Sequence, residues 1–428
     1  MHLGTFTTQG LSAPPDLRAL VRAGDTVAWG QFGAEPVRLT RALHSQRQAI
    51  GPLRCFMGIG TADKTHADDT CGLELVSYAG GGGNRALATL GVLDIWPGHY
   101  SQLPEALSTG ALKVDVLLLQ VSPPDAQGRY SLGLAHEYLV ETLRTARVVI
   151  GEVHPDVPWT YGERTLGRND FALLVDADTP LAGMQDGPAS PVEKAIGRHV
   201  AGLIENGATL QTGIGTLPGA LLAALDGHRD LGVHSGVIGD AVALLVQAGV
   251  ITNARKPIDA GVTVAGVLNG SERLRRFAHF NPALQMRGSH YTHGAAVLAR
   301  FERFVALNSA IEVDLSGQVN SEVAAGVYVG AVGGLLDFTR AAHASCGGLP
   351  IFALPSIARG RSRIVSRLSG PATVPRGDAG VVVTEHGVAD LRGQTLRERA
   401  RRLLKIAHPD FCEGLERELY ATVQQGNE

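Results

Sequence analysis

Residues 208–256 read ATLQTGIGTLPGALLAALDGHRDLGVHSGVIGDAVALLVQAGVITNARK: a short apolar strand, a glycine turn and an apolar helix, then the same series again. That order confines the segment to an α/β fold, in which ligands meet the turns that follow the strands. The first turn, Gly213-Ile214-Gly215-Thr216-Leu217-Pro218, is suited to letting backbone approach a ligand closely. The second, Val233-His234-Ser235-Gly236, is read as a strand end, where a reactive side chain is expected, and it closes on a glycine.

At 428 residues the chain exceeds what one core supports, so two domains are expected. The best boundary is 178–191, rich in Pro, Gly and small polar residues. It places an N-terminal domain at 1–188 and a C-terminal domain at 189–428. Ser190-Pro191-Val192-Glu193 has the capping-box pattern with proline at the first helical position, predicting a helix that buries Ile196, Val200, Leu203 and Ile204. The two halves begin alike. In 24–36 and again in 207–218, a strand leads to glycines, a proline and an amphipathic helix, the mark of a duplicated α/β domain. Near-continuous apolar runs at 114–120, 147–150, 304–307, 351–353 and 380–383 read as buried parallel strands. The fold class is therefore two similar open-sheet α/β domains.

The formal net charge of −3, with 18% charged residues, gives no electrostatic footprint for nucleic acid or an anionic membrane. The four cysteines are widely spaced without a CxxC pair, and the histidines show neither H-x-H nor H-E-x-x-H spacing. No metal site is expected, and a reducing cytoplasm is. There is no signal-peptide pattern and no apolar run of membrane-spanning length.

Several residues invite chemistry. The Gly213 turn is a poor dinucleotide loop: Pro218 replaces the third glycine, and the next strand lacks the acid that would hold a ribose. Its backbone amides remain suited to a phosphate or a thioester carbonyl, or to a tight turn with no ligand. His234, Ser235 and Asp240 superficially suggest a hydrolase triad, but adjacent strand residues face opposite ways and no G-x-S-x-G elbow surrounds Ser235. Gly330, Gly333 and Gly334 form a second cluster, either an oxyanion hole or a turn needing positive φ. Glu385, after the 380–383 strand, is a candidate acid or a structural ion-pair partner.

Taken together and in order, residues 114–133, 208–256, 308–320, 330–340, 362–365, 383–393, 398–400 and 406–411 resemble the acetyl-CoA hydrolase/transferase family, which includes 4-hydroxybutyrate and succinyl-CoA:acetate CoA-transferases. The resemblance implies two similar α/β domains with acyl-CoA bound between them, and a homodimer or larger homo-oligomer. It implies a coenzyme A thioester and a small carboxylate as substrates, with no metal and no permanently bound cofactor. It assigns Gly213, Ile214, Gly215, Thr216 and Leu217 to the CoA loop, and Gly330, Gly333 and Gly334 to the glycine cluster near CoA and the thioester.

In the family a glutamate attacks the thioester and becomes an enzyme–CoA thioester that passes CoA to an acceptor carboxylate. The family pattern is His-Thr/Ser-Glu. Here it is His234-Ser235-Gly236, so Gly236 occupies the nucleophile's position. His154 and His386 also depart from the commoner Asn and Tyr. Three accounts follow: hydrolysis by water with Glu385 or Asp240 as base, CoA transfer through another carboxylate from the chain or a substrate, or acyl-CoA binding without turnover.

Overall fold

The computed structural model describes residues 13–60, 70–181 and 187–425. They divide into two compact units: the described residues up to 185 with Val264–Thr292, and those of 186–263 with the chain from His293 onward. The single crossing expected at 188/189 therefore misses one segment. Val264–Thr292 returns to the first unit, and no composition shift in the sequence marks that excursion.

The first unit holds a seven-stranded parallel sheet. Its strands are β1 (Thr26–Trp29), β2 (Leu53–Met57), β3 (Leu73–Ser77), β4 (Leu93–Ile95), β5 (Val116–Val121), β6 (Val148–Val153) and β7 (Leu173–Asp176). Their order is β7-β6-β5-β1-β2-β3-β4. β5, VLLLQV, is buried at every position, the pattern of a parallel strand covered on both faces. One face packs Val27, Trp29, Met57, Leu118 and Ile150 against Leu39 and Leu43 of helix α1 (Val37–Ile50). Helix α2 (Glu137–Thr142) also belongs to this unit.

The second unit repeats the plan. Strands β8 (Thr209–Gln211), β9 (Gly232–Ile238), β10 (Phe304–Ser309), β11 (Leu349–Ala353), β12 (Val381–Thr384) and β13 (Gly387–Asp390) run in the order β13-β12-β11-β10-β8-β9. All pairs are parallel except β12 with β13. In each unit the strand of the repeated motif, β1 or β8, is flanked by the next strand in sequence on one side and a later one on the other. Strand order reverses there, and in open α/β sheets such a switch point is where a crevice opens for ligand.

Helix α3 (Pro191–Ala201) begins as its sequence predicts: the Glu193 amide donates to Ser190 Oγ at 3.2 Å, and the Ser190 amide donates to Glu193 Oε2 at 2.8 Å. It buries Ile196 and Val200 but stops before Leu203 and Ile204. Helices α4 (Thr216–Ala223), α5 (Asp240–Gln247) and α6 (Leu335–Ala344) complete the frame of the site. Among the described residues no helix is long and apolar enough to cross a membrane, and no group of three or more His, Cys, Asp or Glu could hold a metal ion.

Candidate functional site

The Gly213–Leu217 loop leaves β8 at the switch point and opens α4. Gly215 is the residue before the helix, at φ 107°, a left-handed conformation that favours glycine. Gly213 has no such requirement, since a Cβ there would meet only Pro218 Cγ at 3.5 Å. Pro218 is the third helical residue rather than the first, still inside the turn whose amides have no helical partner. Thr216 Oγ1 donates to Glu193 Oε1 at 2.6 Å and ties the loop to α3. Ile214 is half-buried and Leu217 buried.

The second turn is not where the sequence put it. Residues 233–236 lie inside β9, which runs on to Ile238, and the turn comes at Gly239 before α5. Side chains alternate along the strand, so His234 and position 236 share one face and Ser235 takes the other. Ser235 Oγ shares its one proton between the carbonyl oxygens of Thr212 (3.0 Å) and Val237 (2.8 Å), and accepts from the Thr212 amide (3.2 Å). It clamps β9 to the loop after β8 and takes part in no triad. Asp240 is the first residue of α5, an acid placed well against the helix dipole.

On the other face of β9 the structure assembles what the sequence did not suggest. His234 is fully buried, its ring 4.8 Å from Phe301. Phe301 stacks on Phe304 at 5.6 Å, Phe304 lies 6.3 Å from Phe338, and Phe338 packs on His293 at 4.6 Å. This aromatic floor, in a chain with only 5% aromatic residues, carries both histidines. His293 is 5% exposed. Burial, and then the neighbouring His234, hold its imidazole far below the usual histidine range, at about 3. It is neutral at physiological pH.

The imidazole of His293 lies against two glycines singled out by the sequence. A Cβ on Gly236 would stand 2.7 Å from His293 Cε1 and 2.9 Å from Nε2. One on Gly334, the residue before α6, would stand 2.5 Å from Nε2 and 2.6 Å from Cδ2. Gly333 supplies a left-handed turn at φ 51°, and a Cβ on Gly330 would fall 1.8 Å from the Ser321 carbonyl oxygen. The glycine cluster and the centre of β9 thus meet at one histidine ring. His293 carries no motif signal, because its contacts are made by residues distant in sequence.

Glu385 is not brought to this place. It follows β12, four strand steps from β9, roughly 19 Å at a spacing of about 4.8 Å. Its carboxylate accepts from the Ser356 amide (2.8 Å) and hydroxyl (2.7 Å), with His386 Nε2 3.8 Å away. Burial alone would raise this carboxyl; the Ser356 hydrogen bonds, aided by His386, outweigh it and hold the group below the usual carboxylate range. It is a satisfied structural acid rather than a base poised at position 236.

Models of the acetyl-CoA hydrolase/transferase N-terminal and C-terminal domains match residues 8–167 and 270–419. The chain belongs to the acetyl-CoA hydrolase/transferase family. It is 41% identical to the 4-hydroxybutyrate coenzyme A transferase of Clostridium kluyveri over 339 residues, 78% of this chain and 79% of that protein. It is 33% identical to the succinyl-CoA:cyclohexane-1-carboxylate CoA transferase of Geobacter metallireducens, over 94% and 93% of the two chains. The crystal structure of RipA from Yersinia pestis superposes with a TM-score of 0.90 at 32% identity, covering 95% of this chain and 96% of that one.

The first unit carries a buried polar cluster at the carboxyl ends of its central strands. Gln31, just after β1, donates from Nε2 to Glu137 Oε2 at 2.6 Å, and its Oε1 accepts from Tyr78 OH (2.5 Å) and the Ile59 amide (3.1 Å). Tyr100 OH also donates to Glu137. Glu137 is 1% exposed, and burial pushes its carboxyl up to about 8 against the pull of these donors. Sequence reasoning missed the cluster, since its members come from five separate loops and helices without a shared pattern.

Proposed function

We propose that this chain is an acyl-CoA:carboxylate CoA-transferase acting on a short-chain acyl-CoA thioester, in which the acceptor's own carboxylate replaces an enzyme nucleophile. The observation that carries the reading is the occupancy of position 236: glycine stands there, and the space a side chain would enter is filled by His293. The names of the relatives favour CoA transfer over hydrolysis. In the proposed route an acceptor carboxylate oxygen adds to the thioester carbonyl. The C–O bond forms, the C–S bond breaks, and CoA leaves as thiolate, giving a mixed anhydride. The thiolate then attacks the acceptor-derived carbonyl, and the donor acid departs as carboxylate. No water or further reactant is consumed. The Gly213–Leu217 loop at the switch point and the turn at Gly330, Gly333 and Gly334 are the proposed CoA and thioester contacts.

A direct attack requires both substrates to be bound together, whereas a covalent enzyme–CoA intermediate does not. Initial rates with acetyl-CoA and a series of short carboxylates should give intersecting double-reciprocal lines, and the protein should gain no CoA-sized mass with acyl-CoA alone. Parallel lines or an adduct would overturn the reading and locate the nucleophile. Thiol release without acceptor would make the chain a hydrolase, and tight binding with neither reaction a binding protein.

A further inference from the structure

The second unit contains a cavity that the proposed chemistry does not use. It has a volume of about 290 Å³ and lies wholly within that unit, at the amino ends of β8, β10, β11 and β12. Ala208 and Arg303 line it just before β8 and β10, Leu349 and Val381 open β11 and β12, and Asp390 pairs with Val381 at the end of β13. The Gly213–Leu217 loop leaves β8 at its other end, and in open α/β sheets catalytic ligands gather on that carboxyl side. The cavity is a separate place on the same sheet. We propose that it binds a small aliphatic monocarboxylate, with the carboxylate on the Arg303 guanidinium and the chain along Leu203, Val305, Leu349 and Val388. The proposal does not depend on the CoA-transfer reading.

Two arginines line the cavity, and only one is satisfied. Arg392 donates from Nε and Nη2 to the two Asp390 carboxylate oxygens at 3.0 and 2.9 Å, and from Nη1 to the Gly348 carbonyl oxygen at 3.1 Å. Arg303 is half-buried, yet among the described residues its guanidinium has neither a hydrogen bond nor an ion-pair partner. Its backbone is fixed on both sides: the amide donates to the Cys346 carbonyl oxygen at 2.7 Å, and the carbonyl accepts from the Thr209 amide at 3.1 Å. The side-chain stem lies over Gly347, where a Cβ would stand 3.1 Å from Arg303 Cγ. A partly desolvated cation without a counterion is costly, and the planar guanidinium fork matches a carboxylate. The acids in the wall, Asp390 and the exposed Glu205, oppose a second negative charge, which favours a monoanion over phosphate or a dicarboxylate. Val305 is buried, Leu203 and Leu349 half-buried, and Val388 is 38% exposed, so a short apolar chain has a wall to cover. The volume lies at the small end of ligand pockets, roughly 300–1,000 Å³, and suits a short acid rather than a nucleotide.

A short aliphatic carboxylate bearing a photoreactive diazirine (azipentanoate) tests the assignment on the intact protein. After irradiation, peptide mass mapping should find adducts on the segments 203–208, 303–305, 347–349 or 388–392. Butyrate should suppress them, and inorganic phosphate at equal concentration should not. Arg303→Gln should lower this labelling about tenfold or more, as charge-assisted bonds are lost, while kcat and KM for CoA exchange stay within about twofold. Glu205→Gln, at an exposed position, should raise the labelling by removing an acid from the wall. Labelling of these segments that is unchanged in Arg303→Gln overturns the proposal, as does labelling confined to other segments or equal suppression by phosphate. Labelling lost together with kcat in Arg303→Gln would place the residue in the reacting site and overturn a separate one. Labelling that disappears as the protein is concentrated would give the cavity to a second copy of the chain, with the same consequence. The adducts form without turnover, so a protein that transfers no CoA would overturn the transfer reading and leave this result intact.

Discussion

Replacing Glu137 with Gln isolates the charge of one buried carboxyl. The variant keeps an oxygen to accept from Gln31 and Tyr100 but carries no proton to lose. In the folded protein burial raises Glu137 from its ordinary 4.5 to about 8. Below pH 4.5 the group is protonated both folded and unfolded, and it costs nothing. Between 4.5 and about 8 the unfolded chain releases the proton while the folded chain retains it. Stability contributed by the neutral acid is therefore full below 4.5 and lost as pH rises through about 8. At about 1.4 kcal/mol per pH unit, that window amounts to an upper limit of roughly 5 kcal/mol. Denaturant unfolding of both proteins at pH ~5 and pH ~8.5 should show the wild type losing several kcal/mol relative to Glu137→Gln at the higher pH. Glu152, pushed up to about 7 by burial, is common to both proteins and drops out of the comparison. A protonated-carboxyl infrared band that titrates near pH 8 and vanishes in the variant would report the same event directly. Parallel pH–stability curves would refute the reasoning.

Gly236→Glu alone should gain no CoA adduct, because its Cβ would lie 2.7 Å from His293 Cε1 and overpacking of this kind costs about 1–3 kcal/mol. Gly236→Glu combined with His293→Ala has the room, and intact mass spectrometry after acyl-CoA treatment should find the adduct there. Glu385→Gln should leave kcat within about threefold while lowering stability by about 1–2 kcal/mol, as a charge-assisted pair of bonds to Ser356 becomes neutral; a larger loss in kcat would return Glu385 to the site. Ser190→Ala should cost about 1 kcal/mol through the lost N-cap of α3 with activity unchanged, measured by thermal unfolding and CoA exchange.

Local chemistry made much of the architecture legible. Strand β5 declares itself as an unbroken apolar run, and Ser190 with Glu193 marks a helix start because both bonds of the box are made within four residues. The repeated glycine–proline segments forecast two similar sheets and fell on β1 and β8, where strand order reverses. What stayed hidden is what depends on distant contacts. The glycine in Val233-His234-Ser235-Gly236 looked like a turn, yet β9 passes straight through it, and what borders that glycine is a ring from another segment. The return of Val264–Thr292 to the first unit likewise follows from packing that no local pattern encodes. Glu385 was placed correctly after a buried strand, but strand order in the sheet, invisible in the sequence, sets it four steps away.

The contact between positions 236 and 293 decides what a side chain at 236 would meet. With His293 in place, even the first atom of a side chain on residue 236 falls inside contact distance of the imidazole, and Phe338 lines the ring so that it has little room to retreat. A side chain at 236 and the imidazole at 293 therefore cannot both keep these positions, and one of them has to shift. On the proposed simultaneous-binding reading, CoA transfer by the Gly236→Glu, His293→Ala double variant should change kinetic order, from simultaneous binding to substituted enzyme. Transfer with the order unchanged would mean that the introduced carboxylate is not the nucleophile.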